Sequence, residues 1–311
     1  FINRITITGE LVKNNLEEFT TKKGEDAIGG DLVLRTADGS EHQVNFFSFK
    51  YKKDASGNFT SETTYFYDKY LDAIETLRDI THCAEGEKPD IISITDGMFI
   101  ANDFKGNDNN VISNNKISAR FINKVEPKDY DTTILEAKFE VEGIIESIEE
   151  EVIKNVPTGN LILKLNAIRQ RQSDYTKNDS YEADSLIPIK FTVDKSMASA
   201  FKSAGYYAGA FSKFAGIIVN SVELVETVEK QNFGEDIVKV AKNYVRKNEI
   251  KSGSAVATIF ERELTQDIVD TLIIKRKQLL AEIKNGVGAT NTNSTPSTPA
   301  PNVTYNPFAQ N

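Results

Sequence analysis

Tryptophan is absent, cysteine occurs once and histidine twice. The single Cys83 rules out an internal disulfide and makes a reducing compartment, the cytoplasm, the expected setting. His82 stands next to Cys83, but no second Cys/His pair completes a zinc site. There is no Gly-Lys-Ser/Thr phosphate loop and no dinucleotide-binding glycine triplet. No apolar run approaches the ~18 residues of a membrane span, and the start, Phe1-Ile2-Asn3-Arg4, lacks leader character and reads as strand. Asp129-Tyr130-Asp131 suits a solvated linker better than a cation site, and Glu149-Glu150-Glu151 suits a solvated loop edge. These absences argue against an enzyme, a cofactor, a metal and a membrane association.

What is present is a chain of 311 residues, 39% hydrophobic, with a mean hydropathy of -0.38, 18 Phe and 11 Tyr. That length suggests two domains, or two and a tail. The net charge is -9, unevenly spread. Residues 1–127 hold 15 basic and 21 acidic side chains, residues 128–236 hold 12 and 19, and residues 237–311 hold 10 and 6. An acidic chain is not an obvious nucleic-acid binder. Binding follows local potential, however, so a basic groove remains open to it.

One strand pattern occurs twice. Ile5-Thr6-Ile7-Thr8-Gly9-Glu10-Leu11 and Phe139-Glu140-Val141-Glu142-Gly143-Ile144-Ile145 both alternate apolar and polar residues, then place a glycine out of phase. Alternation marks a half-buried strand. Glycine inside it marks a bulge, a bend or close backbone approach. The second-strand motif Gly30-Asp31-Leu32-Val33-Leu34-Arg35 is matched class for class by Gly159-Asn160-Leu161-Ile162-Leu163-Lys164. In the first half the hairpin signal Asp38-Gly39 follows, then a third strand over 43–51, helical spacing over 65–78, and strands over 91–101 and 116–125. In the second half the third strand falls at 187–193, a short helix at 195–203 with Asp194 as N-cap, a fourth strand at 215–220 and a fifth at 221–229. Strand, strand, strand, helix, strand, strand is the order of an OB-fold barrel.

The expected fold class is therefore mainly β with α: two tandem OB-fold-like five-stranded barrels, a C-terminal helical segment and a disordered tail. The expected divisions are barrel one at 1–127, barrel two at 133–236, a helical extension at 237–285 and a tail at 286–311. One larger β-sandwich is the competing architecture. Within the extension, Ile237, Val240, Ala241, Tyr244 and Val245 suit a short helix; Leu264, Ile268, Leu272, Leu279, Leu280 and Ile283 suit a longer one carrying Lys275-Arg276-Lys277. The extension could pack on barrel two, self-associate into a homo-oligomer, or add phosphate contacts. The tail is uncharged and built from small and polar residues, a composition that favours disorder.

Barrels of this kind bind single strands across strands two and three and the adjoining loops. Such binding needs π-faces for bases and cations for phosphates. Aligning Phe47 and Phe49 with Phe191 and Val193 places those four inside and Phe46, Ser48, Lys50 and Lys52 outside. His42, beside the hairpin turn, is expected in solvent. The candidate surface of barrel one is then Arg35, Phe46, Lys50 and Lys52, with Tyr51 and Lys53 at the rim. Barrel two offers Lys164 and Lys190 outward and Arg169, Arg171, Tyr175 and Lys177 on the loop after its second strand. Its outward Glu140 and Glu142 would repel phosphate, which makes barrel one the expected binder.

The opening Ile2-Asn3-Arg4-Ile5-Thr6-Ile7-Thr8-Gly9-Glu10-Leu11 resembles the first strand of bacterial and phage single-stranded DNA-binding proteins, Asn-x-apolar-x-apolar-x-Gly-x-apolar. Pro307-Phe308 is similar to the Pro-Phe tip of that family's tail, which docks on replication partners. The departures are a tail without acids that runs three residues past its Phe, a second barrel, and the missing stacking tryptophans. The resemblance implies a divergent, tandem-barrel, phage-type member acting in a bacterial host cytoplasm. Its implied activity is non-enzymatic, largely sequence-independent binding of single-stranded DNA in replication or recombination, with partners recruited through Pro307 and Phe308. The alternative is a phage structural or assembly scaffold that uses its barrels for protein contacts.

Overall fold

The computed structural model describes residues 1–54, 56–172, 181–230, 233, 237–262 and 264–286. The first half runs β1 (Asn3–Asn14), β2 (Glu17–Thr20), β3 (Asp26–Arg35), β4 (Glu41–Phe49), β5 (Tyr51–Lys53), β6 (Phe59–Thr63), helix α1 (Tyr65–Thr76), β7 (Ile91–Lys105), β8 (Val111–Ser118) and β9 (Asn123–Lys124). The second runs β10 (Glu136–Ile153), β11 (Val156–Gln172), β12 (Tyr181–Val193), helix α2 (Lys195–Ser203), β13 (Phe211–Glu229) and β14 (Ile237–Gly253), followed by helix α3 (Gln266–Lys284).

Each half closes on itself. β1 pairs with β3, β3 with β4, β4 with β8, β8 with β7, and β7 returns to β1. The circuit β10, β11, β12, β14, β13 and back to β10 repeats it. Each ring has one parallel pairing, between its third and fifth strands: Val44 opposite Ile117, and Thr192 opposite Glu249. The chain is thus mainly β with an OB-like barrel architecture, and closure removes the free edges a flat sheet would carry.

The two out-of-phase glycines mark equivalent places. A Cβ on Gly9 would lie 2.7 Å from the Arg35 carbonyl oxygen, and one on Gly143 would lie 2.3 Å from that of Asn166. In both strands the register with the next strand shifts two residues later, at Leu11/Lys13 and at Ile145/Ser147. Close approach and a bulge together bend the first strand around its barrel.

The rings are fused rather than strung. β1 pairs antiparallel with β10 from Asn3 opposite Val141 to Thr8 opposite Glu136. Phe99 of the first ring packs 6.4 Å from both Phe139 and Phe191 of the second, so one apolar core runs through both. Helix α1 starts at Thr64, whose side chain accepts from the Tyr67 amide, and buries Tyr70 5.5 Å from Phe46. Helix α2 starts at Asp194, as expected, with its side chain accepting from the Ser196 amide. Helix α3 lays Val269 and Leu272, with Leu264 just before it, against Ile144, Ile168, Leu186 and Phe211.

Several expectations are corrected. Residues 237–253 form strand β14, not the start of a helical extension. Residues 221–229 are no separate fifth strand but the continuation of β13, which pairs with β14 from Ile237 to Gly253. The ring cannot close without a strand parallel to β12, and β14 supplies it through Glu249 opposite Thr192. The Asn-rich stretch 102–115 is largely the β7–β8 hairpin, turning at Asn109 with φ 61°, a conformation Asn tolerates. His42 is buried at 2% exposure rather than solvated. Strand β4 is turned over relative to expectation: Phe46, 1% exposed, fills barrel one, while Phe47 and Phe49 lie on the outer side, half-buried.

Candidate nucleic-acid interface

The outer face of β3–β4 is built by alternation. His42, Val44, Phe46 and Ser48 point inward, so Gln43, Asn45, Phe47 and Phe49 point out. Opposite Phe47 and Phe49 on β3 stand Gly29 and Ala27, which carry little or no side chain. On the far side of β3, Phe19 of β2 is opposite Ala27. Small residues between the aromatics let the rings gather: Phe19 lies 6.2 Å from Phe47, Phe47 5.0 Å from Phe49, and Phe49 5.6 Å from Phe59. Phe59 arrives on the β5–β6 hairpin and is 38% exposed. The result is a row of four phenylalanines across strands two and three and the two loops beside them. None of the four was among the expected site residues.

Cations lie along this row. Lys53 Nζ sits 4.4 Å from the Phe59 ring centre and 5.2 Å from that of Phe49. Lys50 Nζ lies 5.4 Å from the Tyr67 ring and 5.7 Å from that of Tyr51. The Tyr67 hydroxyl donates to Glu18. Hydrogen bonding to Tyr67, then the charge environment around it, holds the Lys50 ammonium above its ordinary pKa. Burial, then the Glu18 hydrogen bond, raises the Tyr67 phenol. Lys53 is also near Glu25 at 4.0 Å, and other basic residues are engaged with acids: Lys52 with Glu62 at 2.9 Å and, at the other end of β4, Arg35 with Glu41 at 3.0 Å. Exposed pairs of this kind are worth ~0–1 kcal/mol and exchange readily for another anion.

Lys50, Tyr51, Lys52 and Lys53 thus follow directly on the Phe49 end of β4, whereas Arg35 stands opposite Glu41 at the other end of that strand and Phe46 is withdrawn into the core. Phe46 is a core residue under α1, and its ring faces Tyr70.

On barrel two, Lys164 stands directly opposite Lys190 across β11–β12, and Lys164 is paired with Glu149 at 3.0 Å. Arg169 and Arg171 are exposed near the end of β11. Tyr175, Lys177, Pro307 and Phe308 lie outside the described residues. Glu140 and Glu142 are not the bare repelling charges expected. Glu140 is bound by Arg4 and by Lys213 at 2.7 Å, and buried Glu142 accepts from the Ile2 amide at 2.9 Å. Arg276, expected among phosphate contacts, is instead 12% exposed and clasps Asp103 of β7 with both terminal nitrogens.

Between the barrels lies a cleft of about 740 Å3, walled by β4 and β8 on one side and β12, β13 and β14 on the other. No cluster of three or more His, Cys, Asp or Glu residues suited to a metal occurs among the described residues. Among them, no helix is long and apolar enough to cross a membrane.

The sequence matches the YorF family model over residues 2–286. The chain belongs to the YorF family. No curated protein matches this YorF-family chain. Among solved structures it is similar to the wild-type single-stranded DNA binding protein from Thermus aquaticus, at 11% identity and a TM-score of 0.43, covering 82% of this chain and 92% of that one. A deletion mutant of that protein gives 10% identity, a TM-score of 0.42 and coverage of 82% and 94%. A replication protein A heterotrimer bound to single-stranded DNA gives 14% identity, a TM-score of 0.21 and coverage of 80% and 50%. These scores lie below 0.5, and the barrel topology of the YorF-family chain rests on its own strand pairings.

Proposed function

We propose that this chain binds single-stranded DNA without catalysis and with little sequence preference, in replication or recombination. The observation that carries the reading is the outward row Phe19, Phe47, Phe49 and Phe59 on the strand-two and strand-three face of barrel one. Apolar rings gathered on the outer side of the sheet and on the β5–β6 hairpin, with ammonium groups beside them, offer what a single strand needs. Every base has a π-face, so stacking is sequence-tolerant, and the ammonium groups of Lys50 and Lys53 beside the rings support contacts to the phosphates between. The net charge of -9 does not oppose this, because phosphate replaces the carboxylates now paired with Arg35, Lys52 and Lys53. Protein partners for the tail belong to the same proposal.

Each stacked base is worth ~1–3 kcal/mol. Phe47→Ala with Phe49→Ala should therefore weaken oligo-dT binding by about 2–6 kcal/mol, read by fluorescence anisotropy. Because both rings are outside the core, the double variant should stay folded. Unchanged affinity in that folded variant removes this face as the binding surface.

The second reading, an assembly scaffold, is favoured by one observation: Lys52 and Lys53 beside the ring row already have acidic partners. Wild-type protein that ignores oligo-dT at low salt would leave that reading standing.

A further inference from the structure

The interbarrel cleft is used by nothing described so far, and its chemistry is unlike the rest of the molecule. In a chain of net charge -9, its walls carry Lys116, Lys190, Arg246 and Lys247 against one lining carboxylate, Glu151, and of these cations Lys247 is paired with Glu249 at 2.7 Å. Glu151 is occupied, accepting from Thr158 and Asn160 at 2.9 Å each. The cations come from both barrels: Lys116 from β8, Lys190 from β12, Arg246 and Lys247 from β14. Tyr244 adds a ring that is 64% exposed on the same wall. The walls are held at a fixed distance by amides that cross or brace the cleft. Asn115 donates to the Pro188 carbonyl at 2.9 Å, Asn248 to that of Lys190 at 3.0 Å, and Asn45 to that of Ile117 at 3.2 Å. A fixed, cation-lined groove with an exposed ring suits a polyanion that carries flat groups.

The cleft is continuous with the phenylalanine row. Gln43 and Asn45 line it, and Phe47 and Phe49 are the next outward residues of the same strand. Outward residues of a strand repeat every ~6.8 Å, so Phe49 and Gln43 are separated by about 20 Å along β4. A strand stacked on the row and running toward Gln43 enters the cleft.

We infer that the cleft holds a second stretch of the same single strand, with phosphates on Lys116, Lys190 and Arg246 and a base against Tyr244. This rests on the reading of the phenylalanine row as a single-strand site and extends it. Binding then has two length regimes: a short strand covers the row alone, and a longer one covers row and cleft.

The test compares oligo-dT of about 6 and about 24 nucleotides, the first within and the second above the ~4–16 that one barrel of this kind covers. Lys190→Glu with Arg246→Glu should lower affinity for the longer strand at least about tenfold. It should also flatten that strand's salt slope by about 1.4, at ~0.7 for each phosphate no longer neutralised, and leave the shorter strand unchanged. Long-strand affinity and slope equal to wild type would overturn the cleft site while leaving the row intact. Equal loss for both lengths would overturn it too, since the cleft would then have no stretch of its own. Photo-crosslinking of wild-type protein with a bromodeoxyuridine strand needs no variant. Adducts on the Tyr244 peptide with the long strand support the site, and adducts confined to the row overturn it. If neither length binds wild-type protein, the row and the cleft both fall; if Phe47→Ala with Phe49→Ala spares the short strand, the reading of the row falls alone.

Discussion

His42 shows how much one inward position on β4 controls. Its Nε2 lies 3.2 Å from the Thr36 hydroxyl at the β3–β4 turn, out of reach of bulk water. Burial holds its pKa down to about 4, with the nearby Asp38 charge pulling the other way. The unfolded chain titrates it near ~6.5. Between those values the unfolded state binds more protons, so stability rises with pH. The contribution is complete above about pH 6.5 and drains away as pH falls toward about 4, a difference of about 3 kcal/mol. Urea midpoints for wild type and His42→Gln should therefore diverge most between about pH 7 and about pH 4.5, the variant showing the shallower fall. Parallel profiles would mean that His42 is hydrated after all. The inward phase of His42 was legible in principle. Leu32 and Leu34 point inward, and the Asp38-Gly39 turn sets Leu34 opposite His42 and Leu32 opposite Val44. Following that register gives Phe46 inside and Phe47 and Phe49 outside. Matching aromatics with the second half put the strand one residue out of phase, and a slip of one exchanges every side chain between the two faces.

At the scale of elements, the sequence marks strands one, two and three, helix α1 and helix α3, because each carries its own periodicity or cap. It does not mark β14. The spacing of Val240, Tyr244 and Val245 is compatible with a helix, and only the partner strand β13, paired residue by residue from 221 to 229, decides otherwise. Tertiary pairing overrides a local pattern here. Nor does the Lys275-Arg276-Lys277 run announce that its middle residue turns inward. Helix α3 packs on barrel two through Val269 and Leu272, and Arg276 reaches barrel one to hold Asp103, which is 7% exposed. Removing one partner of a buried pair leaves an uncompensated charge and costs ~3–5 kcal/mol, whereas replacing both with apolar residues is often neutral. Arg276→Met alone should lower the unfolding free energy, read from urea titration, by that amount, and adding Asp103→Leu should restore most of it. A single variant as stable as wild type would show that α3 is held by its apolar face alone.

The tandem design is the feature of the whole molecule that the repeat of glycine, second-strand motif and element order made readable. The fusion was not readable, because it depends on which strands of different barrels meet. β1 serves its own ring through β3 and β7 and also pairs with β10, so the first strands of both barrels lie side by side. Phe99 is 3% exposed and extends from barrel one toward Phe139 and Phe191 of barrel two. A shared strand and a shared core leave no surface along which one barrel can unfold and the other persist without exposing apolar area. The two should therefore open as one cooperative unit. Phe99→Ala, at the ~3–5 kcal/mol typical of a buried Phe, then weakens both. In native-state hydrogen exchange the slowest amides of β4 and of β12 should accelerate together and by the same factor, although the substitution lies in neither strand. Independent barrels would respond differently: β4 would accelerate, the slowest β12 amides would keep their wild-type rate, and calorimetry would resolve two transitions.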